Sequence, residues 1–242
     1  MNPSSLSDLA DALTNSLDLT TPPIAITFNA GVPEGVEAFE GPKPPPTPDG
    51  RTGPVPAGCV FWTKSIDRTF STVASDHANC SVGTLVHGFG TLEEVAGHSD
   101  VAALLESGWV TMEQVPEIPT VHERPGSVTY GPLADASGTP DVVLIRIRAG
   151  QLMLLADAVP GLHIGGKPQC HVVALAKETG AVAASLGCTL SRTRTGMTED
   201  EMTCAIPGSR LAEVVRSIEE TARIDAIAES YAAADVERFA EV

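Results

Sequence analysis

The N-terminal segment repeats apolar residues with the period of a helix. Leu6, Leu9, Leu13 and Leu17 recur at intervals of three or four residues, and Ser and Asp occupy positions between them. This spacing puts the leucines on one face of a helix. The sequence therefore predicts an amphipathic helix over residues 5–17.

Short apolar runs bounded by proline or glycine predict the strands of a sheet. The predicted strands are 24–28, 126–133, 140–147, 181–188 and 200–207. Longer segments predict a helix from about Cys80, two short helices in 91–114, helices at 149–161 and from about Pro168, and a long one after 208. Strands and helices alternate irregularly. This favours one α+β or α/β domain, with a mixed sheet and flanking helices.

The predicted domain occupies residues 1–222, and residues 223–242 form a helical C-terminal extension. Within the domain, residues 41–58 contain seven prolines, so they form neither a helix nor a central strand. We expect a stiff surface loop that leads to Cys59, although such a segment could also bind an aromatic groove of a partner.

The charge excludes two kinds of partner. The chain has 31 acidic and 15 basic residues and a formal net charge of −16. It would repel a phosphate backbone or an anionic membrane surface, so we expect no nucleic-acid and no membrane partner. The N-terminus lacks the basic and apolar regions of a signal peptide, which predicts a cytoplasmic protein with reduced thiols.

Five cysteines are the main candidates for chemistry, and no two have the C-x-x-C spacing of zinc ribbons or redox motifs. Four of them lie at the ends of loops or elements: Cys59, Cys80, Cys170 and Cys188. Cys170 precedes a predicted helix, whose N-terminus would lower the pKa of its thiol. Cys204 lies inside a predicted strand and is expected in the core.

Polar residues near these cysteines add further candidates. His77 precedes Cys80 by three positions, so one helical turn would put both on the same side. Asp76 could orient the imidazole, or it could instead cap the turn. Arg192 could bind a carboxylate or phosphate, or pair with the acidic residues 199–201.

Four stretches of the chain resemble the bacterial and archaeal family called domain of unknown function 169. They are PPIAITF, DHANCSVG, PDVVLI with GQLMLLADA, and the long segment from KPQC to CAIP, and they span residues from about 15 to 220. The resemblance implies no reaction. It implies that family motif positions are occupied by Cys59, Asp76, His77, Cys80, Gly83, Cys170, Gly187, Cys188, Arg192 and Glu201.

The leading hypothesis is an iron–sulfur protein. Thiolates suit such clusters, and four matching cysteines would hold one of the four-iron type. His77 would be a proton donor or alternative ligand, and Arg192 would anchor a small anionic substrate for redox or Lewis-acid chemistry. The cofactor would lie against Gly83 and Gly187, and the ligands would be Cys59, Cys80, Cys170 and Cys188.

Three alternatives remain open. The sequence also leaves undecided whether the protein is an enzyme and, if so, whether it is an oxidoreductase or a lyase. Haem could bind through His77, Cys80 or His87. Cys170 could be a nucleophile, with His77 or His171 as its base. The protein could also be a non-catalytic ligand-binding or accessory protein, including one with structural zinc.

The oligomeric state also stays open. The apolar residues Ile224, Ile227 and Tyr231 of the predicted C-terminal helix could pack on a second copy of the chain or within the same chain. A homodimer is therefore one expectation.

Overall fold

The structure, a computed structural model, describes residues 5–240. A seven-stranded mixed sheet lies between two layers of helices, so the predicted single α+β domain is confirmed. The strands are β1 Ile24–Asn29, β2 Phe70–Thr72, β3 Ser127–Pro132, β4 Val142–Ile147, β5 His163–Gly165, β6 Ala183–Ser185 and β7 Met202–Pro207. The α-helices are α1 Leu6–Leu17, α2 Val60–Lys64, α3 Ser81–Val86, α4 Leu92–Val95, α5 Ser99–Glu106, α6 Ala149–Ala158, α7 His171–Thr179, α8 Thr189–Thr195 and α9 Leu211–Ala240.

The strands follow the order β2-β3-β1-β4-β7-β6-β5 across the sheet. All neighbours are antiparallel except β5 and β6, which pair in parallel. Successive residues of a strand face opposite sides, and in β4 this puts Val143 and Ile145 in one layer and Val142 and Leu144 in the other. Both faces of the central strands are therefore buried.

Helices α1, α6 and α9 cover one face of the sheet. Leu13 and Leu17 of α1 pack there with Val214 and Ile218 from the first turns of α9. Ser5 caps α1 by accepting the Asp8 N–H at 3.1 Å. The predicted helix over 5–17 is thus confirmed, with its cap at the first predicted residue.

Helices α2 and α7 cover the other face, where Phe61 of α2 and Val172 and Val173 of α7 meet the sheet. Three neighbouring helices, α3, α5 and α8, extend this layer at its edge. The segment 41–58 that leads into α2 contains no helix or strand, as its prolines predict. Five segments of the chain carry a cysteine. Four of them belong to this layer, and the segment around Cys204 belongs to the opposite one.

Several predicted bounds need correction. The helix predicted from about Pro168 begins at His171, and the sequence did not predict β2, β5 or α8. The boundary predicted at residue 222, between the domain and its helical extension, stays a prediction and lies within the continuous helix α9. The first four residues of the predicted domain and the last two of the predicted extension lie outside the described residues.

None of the helices within residues 5–240 combines the length and the apolar character that crossing a membrane requires.

Candidate functional site

Four cysteines that are distant in sequence line one cavity of about 180 Å³. The other walls of this cavity, here called the thiol pocket, are mostly apolar and include Leu104, Trp109 and Leu190. Its thiols come from both halves of the chain: Cys59, Cys80, Cys170 and Cys188. The predicted cofactor-binding cysteines therefore come together, and Gly83 lies with them in the lining.

Each of these cysteines is the residue immediately before a helix. Cys59 precedes α2, Cys80 precedes α3, Cys170 precedes α7 and Cys188 precedes α8. The first turn of a helix has backbone N–H groups without partners and a partial positive charge. Four helix starts around one cavity therefore favour a negatively charged guest.

Polar contacts from the proline-rich segment fix the position of Cys80. The Asn79 side chain donates to the carbonyls of Gly53 and Val55, both at 2.9 Å. Arg51 donates to the Ala78 carbonyl at 2.6 Å and to the Asp100 carboxylate at 2.8 Å. The loop that delivers Cys59 is thus tied to the segment that carries Cys80.

Cys80 has two polar neighbours that favour its thiolate. The Gly83 N–H points at the Cys80 sulfur at 3.4 Å, and the Arg194 guanidinium lies 3.7 Å from the same atom. Arg194 lines the thiol pocket and has no carboxylate partner among residues 5–240. It is therefore an uncommitted positive charge beside the thiols.

Burial raises the pKa of three of the pocket thiols, those of Cys59, Cys80 and Cys170. Burial raises the pKa of Cys59 to about 12, and the nearby Ser191 hydroxyl only partly offsets it. Loss of water around the sulfur also raises the pKa of Cys170, and neighbouring thiols raise it further. The expected lowering of the Cys170 pKa by its helix is wrong, because desolvation outweighs the helix start.

One buried polar atom in the lining has no hydrogen-bond partner within the described chain. It is the side-chain carbonyl oxygen of Gln169, a residue that is 1 % exposed. Buried polar groups are nearly always paired in folded proteins. This oxygen therefore suits a polar guest in the thiol pocket.

A comparison with known protein families covers most of the chain. The family model described as DUF169, Uncharacterised ArCR, matches residues 12–217. The chain belongs to the DUF169 family. No curated protein and no solved structure matches the chain.

In this DUF169 protein His77 lies behind the thiol pocket and does not line it. A Cβ atom on Gly58 would stand 2.8 Å from the His77 Nδ1, so the imidazole packs directly under the residue before Cys59. His77 bonds the Thr72 hydroxyl at 3.0 Å, and its ring centre is 5.4 Å from that of His87. Desolvation lowers the pKa of both imidazoles, to about 4 for His87.

Asp76 does not orient His77 in the DUF169 protein. Its carboxylate accepts the Val73 N–H at 2.8 Å and so caps the short 3₁₀ turn Ala74–His77. The interpretation of Asp76 as a capping residue is correct, and Thr72 is the partner of His77 instead.

Arg192 holds the turn before Cys188 rather than lining the pocket. Its guanidinium donates to the carbonyls of Leu186, at 2.9 Å, and Thr198. A Cβ atom at Gly187, where φ is +105°, would stand 2.5 Å from this guanidinium. Arg192 and Gly187 thus fix the backbone that presents Cys188, and Glu201 pairs with Arg146 at 2.7 Å.

Cys204 lies in the opposite layer of the sheet, fully buried with the α1 and α9 contacts. The prediction that it is a core residue is confirmed. It is therefore a matched control for the four thiols of the pocket.

In the described part of this DUF169 protein, no three His, Cys, Asp or Glu side chains are placed to hold a metal ion. Thiolates around one zinc ion, with Zn–S bonds of about 2.3 Å, would stand roughly 3.8 Å apart. The thiols of the pocket surround a cavity instead.

The residues that the sequence missed are Arg194, Ser191 and Gln169, which all line the pocket. Arg194 lies two positions after the predicted Arg192, and α8 was not predicted. Without the phase of that helix, the sequence could not tell which arginine faces the thiols.

Proposed function

We propose that the thiol pocket binds an iron–sulfur cluster of the four-iron type through Cys59, Cys80, Cys170 and Cys188. The observation that carries this proposal is that four cysteines, each at the start of a helix, line one cavity. A cluster with cysteine ligands is anionic, and helix starts stabilise negative charge.

The size of the cavity favours a cluster over haem. Ligands of drug size occupy pockets of about 300–1,000 Å³, whereas the thiol pocket measures about 180 Å³. Of the three candidate axial ligands, His77 and His87 lie outside its lining and Cys80 lies within it. The raised pKa of Cys170 also opposes a nucleophilic thiol at neutral pH.

Electron transfer is the favoured chemistry. Four thiolates would satisfy the four irons of a cluster, which leaves no iron open as a Lewis acid. When bound, the cluster would supply a one-electron redox centre. Arg194 would hold a small anionic molecule beside Cys80, the role for which the sequence suggested Arg192.

The protein would then be an oxidoreductase or an electron carrier. The Arg194 guanidinium is the uncommitted positive charge in the lining, and Asp100 of the same lining is already paired with Arg51 at 2.8 Å. A bound anion would neutralise the Arg194 guanidinium without displacing an existing ion pair.

Metal analysis of the protein tests the cluster. Protein produced with ample iron and purified without oxygen should contain about four irons and about four sulfides per chain. Replacement of Cys59, Cys80 or Cys188 by Ser should remove most of the iron. The control variant Cys204→Ala should retain it, because Cys204 lies across the sheet.

Two results would overturn the proposal. One is wild-type protein that stays free of iron after chemical reconstitution with iron and sulfide. The other is an equal loss of iron from Cys204→Ala and from the pocket variants at matched folding. One equivalent of zinc in place of iron would favour the structural-zinc alternative.

A further inference from the structure

A second pocket adjoins the thiol pocket and contains two histidines. Trp109 and Pro168 line both cavities and so form the wall between them. His163 of β5 and His171 of α7 lie on the far side of this wall. Neither side chain takes part in the proposed cluster.

The His171 imidazole presents a buried nitrogen that has no partner among the described residues. Its Nδ1 lies 2.6 Å from the Pro168 carbonyl, which can only accept, so Nδ1 carries the hydrogen. The neutral ring then has its lone pair on Nε2, which makes no hydrogen bond. His171 is 6 % exposed and lines the second pocket, and its Nε2 is itself buried.

His163 brings a second ring nitrogen to the same place. A Cβ atom on Gly165 would stand 2.6 Å from Nε2 of His171 and 3.2 Å from Nε2 of His163. The two nitrogens therefore lie on the side of Gly165 where any other residue would carry its side chain. A larger residue at position 165 would collide with the His171 ring.

The separation of the rings suits one shared metal ion. Two imidazoles that bind an ion at about 2.0–2.1 Å have ring centres roughly 5–6 Å apart. The ring centres of His163 and His171 are 5.8 Å apart, and the rings are nearly perpendicular. The bond from Nδ1 to a backbone carbonyl is also the usual support of a histidine that binds metal.

We infer that His163 and His171 form a binding site for a divalent transition-metal ion, separate from the thiol pocket. Imidazole nitrogen suits zinc, cobalt, nickel and ferrous iron. The protein supplies two ligands, and solvent molecules complete the coordination, so the ion exchanges readily. Because the site shares only Trp109 and Pro168 with the thiol pocket, it does not depend on the cluster.

Titration of the full-length protein with Co²⁺ without oxygen distinguishes the two sites. Thiolate-bound cobalt absorbs strongly in the near ultraviolet by sulfur-to-metal charge transfer, and imidazole-bound cobalt does not. We expect calorimetry to show one bound equivalent of Co²⁺, and the absorption spectrum to show no charge-transfer band from that equivalent. His163→Asn should weaken this equivalent by ~10-fold or more and leave the charge-transfer band unchanged.

The controls separate binding from folding. His163 is exposed, so its replacement should leave the melting temperature unchanged, and His171→Asn provides a second variant of the same site. His122→Asn is the matched control, because His122 is exposed and pairs with Glu178 elsewhere. Identical titrations of wild type and His163→Asn would overturn the inference, and so would a single bound equivalent that shows the thiolate charge-transfer band.

Discussion

At the scale of single residues, the thiol pocket combines neutral sulfur with one positive charge. The pKa of Cys80 is raised mainly by burial, and the Arg194 guanidinium 3.7 Å away opposes that rise. Arg194 therefore controls how readily Cys80 becomes a thiolate, and thus how readily it accepts a metal.

Replacement of Arg194 by Gln should slow the alkylation of Cys80 several-fold at pH 8, because the thiolate loses its positive neighbour. Arg194→Lys, which keeps the charge, should restore part of the rate. Mass spectrometry of each cysteine peptide in the metal-free protein measures both rates. An unchanged rate for Arg194→Gln would show that the guanidinium does not act on this sulfur.

The buried histidines make the stability of the protein depend on pH. The folded pKa of His87 is about 4, below the ordinary value of 6.5, and that of His77 is lowered as well. As the pH falls below about 6.5, the unfolded chain takes up protons that the folded chain refuses, so stability is lost by about 1.4 kcal/mol per pH unit for each histidine. Above that pH the two groups cause no further change.

Urea unfolding between pH 7.5 and 5 measures this slope before most carboxylates titrate. His87→Gln should reduce the slope by about one proton's contribution. Equal slopes for wild type and His87→Gln would contradict the expected burial of a neutral ring.

At the scale of elements, the sequence predicted those whose apolar spacing or proline content determines their local structure. The apolar spacing of α1, the apolar run of β4 and the prolines of 41–58 each determine local structure, and these predictions are confirmed. The polar helix α8 has no apolar period, and β5 is three residues long and mostly exposed, so neither could be predicted. The pair of His163 and His171 was missed because it depends on the parallel pairing of β5 with β6, which no local sequence pattern predicts.

The cysteines of the site were recognisable from the sequence for a different reason. They lie at the ends of elements, where side chains are free to face a cavity. Their convergence depends on the order of the strands and the packing of α2 and α7, which no local pattern encodes.

The distal half of α9 does not pack on the rest of the described chain. Its buried residues end at Ile218, and Ile224, Ile227 and Tyr231 are exposed. Deletion of residues 223–242 should therefore change the free energy of unfolding by less than about 0.5 kcal/mol. Urea unfolding measures this free energy. Light scattering of the full-length and the shortened protein shows whether this helix holds a homodimer. A larger loss of stability at equal oligomeric state would mean that the helix packs on its own domain.

At the scale of the whole molecule, the net charge of −16 acts on stability. Like charges on one compact surface repel each other, and salt screens that repulsion. Raising NaCl from about 0.05 to about 0.5 M should raise the melting temperature by a few degrees, because the Debye length falls below typical surface spacings.

Calorimetry in NaCl and KCl at equal ionic strength checks this expectation. The two salts should have the same effect if screening is the cause. A melting temperature that is constant or falls with salt would mean that attractive ion pairs, such as Arg51 with Asp49 and Asp100, outweigh the net repulsion.

The distribution of the pocket cysteines along the chain also sets the timing of assembly. Cys59 and Cys80 leave the ribosome well before Cys170 and Cys188, and β7, which lies between β4 and β6 in the sheet, is translated after all four. The nascent chain cannot close the cavity until nearly the entire domain has emerged. Any cofactor that needs all four thiols must therefore be inserted late, once Cys188 has emerged from the ribosome.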